Sequence, residues 1–507
     1  MTELLKLSAL EAPLDGTTLI EASAGTGKTH TIATLFVRLL LEKGLTVAEI
    51  LVVTYTKAAT AELRQRIRQR LGQALEVFDH ALGSAGAHAA SDVEPTLLEL
   101  AKRSIARGRP RADRERLVTA LHAFDEASIF TIHGFCQRVL TQSAFETSTG
   151  FDTELLEDQR LLVDEVVHDF WARSLYDADE PFTRHVLDSG ATPEELSRLA
   201  QRVAADLELQ ILPDLDEAAC EEALRERALH PDRALVALKA RFVRYVRSEL
   251  PRRKRERAQQ GFDDLLVRLR AAIDGPRGEE LLEQIRTRHP AALIDEFQDT
   301  DPVQCRVFER IYDTQAVAPL ALFLIGDPKQ AIYGFRGADV FAYMRAARHA
   351  ATRAFTLSVN HRSDPQLVRA VNALFSRAQA PFYYPEIRFQ PVAAAPSARD
   401  ALAGSLAGTP ALEFLFLQRD PTQVPKKGKT KNKLLKGELG EKLPRLVAAE
   451  IVRLLKSGAR LGDASVEPRH IAVLCRTNAQ AREVQNALRL RAVPAVLEGD
   501  DSVFDSS

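Results

Sequence analysis

Lys28 and Thr29 close a run of small residues, Ala22-Ser23-Ala24-Gly25-Thr26-Gly27, and far downstream Asp295 and Glu296 open an acidic run that includes Gln298 and Asp299. Small residues let backbone N–H groups approach an anion closely, and a helix start adds the positive end of its dipole. Lys28 can then reach the β- and γ-phosphates of a nucleotide, while the Thr29 hydroxyl can ligate Mg²⁺. The paired carboxylates supply the complementary chemistry. Asp295 would hold the cation through water, and Glu296 would orient and deprotonate an attacking water. Together the two segments predict an ATP-hydrolysing site. Ala22 stands where such loops usually begin with Gly, and it is still small enough for the turn. The bland alternatives are a Gly/Thr-rich turn that binds nothing and a solvated acidic turn before Pro302.

The surrounding pattern places these residues where the chemistry needs them. Residues 18–21 read as a short apolar strand, and 30–42 carry helical apolar spacing at Ile32, Leu35, Phe36, Leu39 and Leu40. Residues 291–294 are a buried-strand run leading straight into Asp295, so the carboxylates fall at a strand's C-terminal end, where open parallel sheets bind ligands. Further strands are expected at 50–53, 128–132 and 320–325, with a helix from about Lys57. From 151 to 285 the pattern is long, amphipathic and helical. After Phe355-Thr356-Leu357 a second α/β unit is expected, with strands at 412–417 and 471–474 and a last one at 493–497. The expected organisation is α/β: a first domain in 1–150 and 286–352, a helical insertion in 151–285, and a second domain in 353–507.

With 68 Lys and Arg against 70 Asp and Glu, the formal net charge is −2, so any attraction to nucleic acid must come from local patches. Residues 102–116 and 252–257 are basic enough to be DNA faces or simply solvated surfaces. The lysine-rich 425–436 reads as a solvated loop. Cys136, Cys220, Cys305 and Cys475 show no metal-ligand spacing, which fits a reducing compartment without a disulfide framework. His133 and Cys136 form one H-x-x-C pair with no second pair nearby, so packing is expected there rather than zinc. No charged-then-apolar leader and no bilayer-length apolar run is present, so no membrane association is expected. A soluble cytoplasmic protein is expected.

Other motifs suggest a nucleic-acid track. In the segment from Gly326 to Asp339, Gln330 can sense a γ-phosphate, while Phe335 and Arg336 can stack on unpaired bases. Such stacking is worth about 1–3 kcal/mol per base and tolerates any sequence. Arg362, within Asn360-His361-Arg362-Ser363, is suited to stabilising transition-state charge across a cleft. Thr56 precedes a helix start, and His133 lies in a similar setting. Both segments suit a nucleic-acid phosphate.

In order, EASAGTGKT, VVTYTKAATAELR, FTIHGFCQR, GFDDLL, IDEFQDTDP, IGDPKQAIYGFRGAD and NHRS resemble a UvrD-like superfamily 1 DNA helicase. More narrowly, they resemble the RecB family of the RecBCD helicase–nuclease (exonuclease V). An AddA-type or other UvrD-like repair helicase is the alternative, and FTIHGFCQR with DSVFDSS favours RecB. The resemblance implies a P-loop, RecA-like motor domain with a large helical insertion, followed by an incomplete second RecA-like domain. It implies ATP and Mg²⁺ as cofactors, and 3′→5′ movement on single-stranded DNA in double-strand-break repair. DNA ends and the RecC and RecD subunits are the implied partners. By the same resemblance, the segment from Ala22 to Thr29 (Ser23, Ala24, Gly25, Thr26, Gly27 and Lys28 between them) and His361 contact nucleotide. Thr29 and Asp295 hold the metal, and Glu296, Gln330 and Arg362 serve hydrolysis. Thr56, His133, Tyr333, Phe335 and Arg336 line the DNA track.

Three departures from the family pattern stand out. His361 takes a place usually held by Tyr or Trp, and residues 1–20 hold no Gln to read adenine. The chain also stops before the family's last two helicase motifs and its nuclease domain. The resulting expectation is an ATP- and DNA-binding fragment that binds nucleotide weakly and hydrolyses it slowly by itself.

Overall fold

The computed structural model describes residues 4–83, 94–143, 154–156, 158–176, 178–205, 210–312, 320–332, 334, 338–350, 353–417 and 436–497. They form two compact units, Met1–Ser358 with Tyr384–Ile387, and Val359–Tyr383 with Arg388–Ser507.

The first unit is built on β1 (Leu5–Lys6), β2 (Gly16–Ala22), β3 (Ile50–Thr54), β4 (Ile129–Thr131), a small outlying pair β5 (Glu154–Leu155) and β6 (Gln259–Gln260), then β7 (Ala291–Ile294), β8 (Ala321–Gly326) and β9 (Ala354–Leu357). Seven of these make one sheet in the order β1-β9-β2-β8-β7-β3-β4, with every pairing parallel. Parallel strands covered on both faces read as continuous apolar runs, which is why β3, β7 and β8 are buried throughout. Their side chains still alternate. Ile50, Val52, Leu293 and Phe323 enter one core with α1 (Lys28–Arg38), α2 (Lys57–Ala81) and the helices Pro95–Ala106 and Pro110–His122. Leu51, Val53, Ile294 and Leu324 enter the other, with the helices Ile132–Gln142, Phe262–Ile273, Gly278–Arg288, Pro302–Ile311 and Val340–His349.

Two boundaries differ from the sequence expectation. Leu265, Leu269, Leu282 and Ile285 pack in the second core of the seven-stranded sheet, so the helical layer with a core of its own runs from Leu162 to Leu250 instead of filling 151–285. Strand β9 pairs with β2 and β1, which places 354–357 in the first unit instead of opening the second. In both cases the deciding contact is long-range and leaves no mark on local periodicity.

In the second unit Val359–Asn360 pairs in parallel with Ala393–Ala394, and Leu402–Gly404, Ala459–Leu461 and Ala464–Ser465 form an antiparallel sheet. Helices Lys436–Lys456 and Asn478–Arg489 share a small core of Ala448, Ile451, Val484, Ala487 and Leu488. The strands expected at 412–417, 471–474 and 493–497 do not form, and Phe416, Leu474 and Val496 are 85%, 97% and 95% exposed. An apolar run becomes a strand only when a neighbour completes its ladder. Among the described residues these runs have none, and the parallel pairing of the second unit is that of Val359–Asn360 with Ala393–Ala394.

Candidate nucleotide and water-activating site

Strand β2 delivers the chain to a loop whose Gly25 and Gly27 have φ of 77° and 91°, a conformation that side-chain-bearing residues rarely adopt. The Thr26 N–H and hydroxyl both donate to the Ser23 carbonyl, at 3.2 and 2.7 Å, which closes the turn. Helix α1 begins at Lys28 with no side-chain cap, so its first N–H groups remain available to an anion. Lys28 and Thr29 are the first two residues of that helix.

The second half forms at the same edge of the sheet. The Asp295 N–H donates to the Val53 carbonyl at 2.8 Å, extending the ladder by one residue. Glu296 then turns the chain with φ 51° and ψ 42°, a left-handed backbone that costs a non-glycine residue about 1–3 kcal/mol. That turn aims its carboxylate at Lys28, whose Nζ lies 2.7 Å from both oxygens. Burial pushes the Asp295 carboxyl up to about 6, the charge of Glu296 adds to this, and Lys28 opposes it. Asp299 is raised to about 6 in the same way, by burial and then by Glu296. A divalent cation would reverse the trend by supplying the missing positive charge. Among the described residues no group of three or more His, Cys, Asp or Glu side chains could hold a metal unaided. A hydroxyl such as that of Thr29 and a carboxylate such as that of Asp295 are the oxygen donors Mg²⁺ accepts alongside phosphate and water.

Strand β8 brings the third element. Gln330 Nε2 donates to Asp327 Oδ2 at 2.7 Å, and Lys329 bridges Asp327 Oδ1 at 2.8 Å and the Glu21 carboxylate. Burial lowers the Lys329 ammonium, but Glu21 and Asp327 outweigh it and hold the group above the usual lysine range. Gln298 joins this cluster to the Asp295–Glu296 turn: its Nε2 donates to Glu296 Oε2 at 2.7 Å, and its Oε1 accepts the Asp327 N–H at 2.8 Å. Local spacing by itself gives Gln298 and Asp299 no role. The available signal was an amide two residues beyond Glu296.

Two further candidates follow β3 and β4, whose ends are paired at Thr54 and Thr131. Thr56 caps α2, its hydroxyl accepting the Ala59 N–H at 3.0 Å. His133 packs edge-on to Phe262 with ring centroids 5.5 Å apart, and burial lowers its imidazole below the usual range. In the second unit the Asn360 side chain accepts the N–H groups of Arg362 and Ser363, at 2.9 and 2.8 Å, which fixes a turn with His361 and Arg362 exposed. Tyr333, Phe335 and Arg336 lie outside the described residues. The two basic stretches are largely internally paired. Arg253 meets Glu249 at 2.9 Å, Lys254 meets Asp264 at 2.7 Å, Arg257 meets Glu165 at 2.6 Å, and Arg114 pairs with Asp79. No helix among the described residues is long and apolar enough to cross a membrane.

Seen against known proteins, residues 5–351 match the UvrD/REP helicase N-terminal domain. The chain belongs to the UvrD/REP helicase family. Among UvrD/REP relatives it is similar to RecBCD enzyme subunit RecB of Escherichia coli (strain K12), at 34% identity over 99% of this chain and 49% of that protein. It is likewise similar to RecBCD enzyme subunit RecB of Mycolicibacterium smegmatis, at 36% identity over 99% of this chain and 41% of that protein. The RecB of Mycobacterium tuberculosis (strain ATCC 25618 / H37Rv) shows 36% identity over 97% of this chain and 41% of its own length. The chain thus spans about half the length, or less, of these relatives.

Proposed function

We propose that this chain is the ATP-hydrolysing motor portion of a RecB-type DNA helicase, which moves 3′→5′ along single-stranded DNA during double-strand-break repair. The observation that carries the reading is the meeting of Lys28 and Glu296, 268 positions apart, at 2.7 Å on the C-terminal edge of one parallel sheet. In this reading the loop from Ala22 to Gly27 and Lys28 bind the phosphates, and Thr29 and Asp295 hold Mg²⁺. The cation neutralises developing charge on the phosphates. Glu296 orients the attacking water and takes its proton, Gln330 senses the γ-phosphate, and Arg362 stabilises transition-state charge. His361 stacks near the base of the nucleotide, and Thr56, His133, Tyr333, Phe335 and Arg336 belong to the DNA track. RecC-like and RecD-like subunits are the expected partners.

The test is the ATPase rate of the 507-residue chain with and without single-stranded DNA. Stimulation by DNA that disappears in Lys28→Ala supports the motor reading. Nucleotide binding without turnover would favour an ATP- and DNA-binding role, and absence of both would overturn the assignment.

A further inference from the structure

We propose that Gln298 is a positioning residue that holds Glu296 in its water-activating pose and couples it to the turn carrying Gln330. This rests on the ATPase reading above and adds a residue to it. Gln298 is 2% exposed and Asp327 is 1% exposed, so water does not compete for their polar groups. The Gln298 amide is held at both ends: Nε2 donates to Glu296 Oε2 at 2.7 Å and, more weakly, to Asp299 Oδ2 at 3.4 Å, while Oε1 accepts the Asp327 N–H at 2.8 Å. Reversing the amide would set a donor against the Asp327 N–H and an acceptor against two carboxylates. The chemistry of the neighbours therefore fixes its orientation.

The space for Gln298 is made by Gly326, the last residue of β8. A Cβ at Gly326 would run into Gln298 Oε1, and it would lie only 3.1 Å from the backbone nitrogens of Phe297 and Gln298. Those backbone atoms are fixed by the turn and cannot swing aside. Gly326 has ordinary backbone geometry, absent from the positive-φ glycines among the described residues, so close approach is the requirement it meets.

Glu296 has two described side-chain partners, Lys28 and Gln298. A triphosphate would draw Lys28 away from Glu296. Gln298 then remains to hold the carboxylate, and the same amide anchors the Asp327 backbone N–H, while Asp327 Oδ2 accepts from Gln330 Nε2 at 2.7 Å. A contact between Gln330 and a γ-phosphate is thereby linked to the pose of Glu296 through two buried residues, Asp327 and Gln298.

The experiment uses the 507-residue chain and three substitutions: Gln298→Leu, which removes both bonds, Gln298→Glu, which keeps the acceptor but sets a like charge beside Glu296, and Gly326→Ala. Affinities for ADP and for a hydrolysis-resistant ATP analogue are measured with Mg²⁺, alongside kcat, KM and a thermal melt. Each variant should keep ADP affinity within about twofold, lose most of its preference for the ATP analogue over ADP, and lose kcat by about tenfold or more. Gln298→Glu should in addition regain rate as pH falls and its new carboxyl protonates. An unchanged preference with unchanged kcat would overturn the proposal, as would an equal loss of both affinities. If the unaltered chain binds neither nucleotide, the ATPase reading itself fails. Should the melt show that Gln298→Leu does not fold, the isosteric Gln298→Glu and Gly326→Ala decide the matter.

Discussion

Lys28 faces both oxygens of Glu296, and the proposed triphosphate needs that same ammonium. Nucleotide binding therefore exchanges one charge-assisted partner for another. Two substitutions separate the terms. Lys28→Ala should abolish measurable ATP binding in a titration experiment, since the loop loses its cation. Glu296→Gln should bind ATP at least as tightly as the unaltered chain, because the competing anion is gone, yet lose single-turnover hydrolysis by about 10²–10⁴-fold. The types of both residues were readable in the sequence, because a small-residue loop and paired carboxylates announce their chemistry. Gln298 was not. Its role depends on β8 lying beside β7, so that the Asp327 N–H sits next to the Glu296 turn, and strand order is not written in local spacing.

At the scale of elements, the sheet rests on strands buried on both faces. Phe323, 1% exposed in the middle of β8, is one of the largest side chains in the first core. Phe323→Ala should cost about 3–5 kcal/mol in denaturant unfolding, from lost transfer energy and the cavity left behind. His289, just before β7, offers a pH test. Burial pushes its imidazole down to about 4 from 6.5, and nearby Arg288 adds to the effect. The unfolded chain therefore binds a proton that the folded one refuses between about pH 6.5 and 4, and stability falls as pH drops through that window. Measured against His289→Leu, the unaltered protein should lose about 2–3 kcal/mol between pH 7 and 4. A parallel loss in both proteins would sink this account. These buried strands were legible as apolar runs bounded by turns. The runs at 412–417 and 471–474 carry the same signal and find no ladder partner among the described residues, because such a partner is a property of the fold and not of the run.

At the scale of the molecule, the two units differ in how much apolar surface they bury. The first has two extensive cores on either side of its sheet, whereas the helix pair of the second is held by a handful of alanines and aliphatic side chains. Unfolding should accordingly proceed in more than one step. Amide exchange in Asn478–Arg489 should report a lower opening free energy than in β3 or β7. A single transition with uniform protection would contradict this. The basic stretch on the long helix Pro231–Glu256 is tied to acidic neighbours, Arg252 to Glu249 and Glu256 and Arg253 to Glu249 and Asp169. Arg252→Ala should therefore leave the salt dependence of single-stranded DNA binding unchanged.

The small β5–β6 pair joins the helical layer to the motor. Glu154 and Leu155 run in parallel register with Gln259 and Gln260, and the Leu156 N–H donates to the Gln260 carbonyl at 2.8 Å. The chain thus departs for its helical excursion and comes back at one narrow neck. Whatever lies beyond that neck can lengthen, shorten or be exchanged while the two clasped strands keep their spacing. The layer is a cassette on a stalk, and a graft of foreign helices across this clasp should leave the sheet edge where Lys28 meets Glu296 in place.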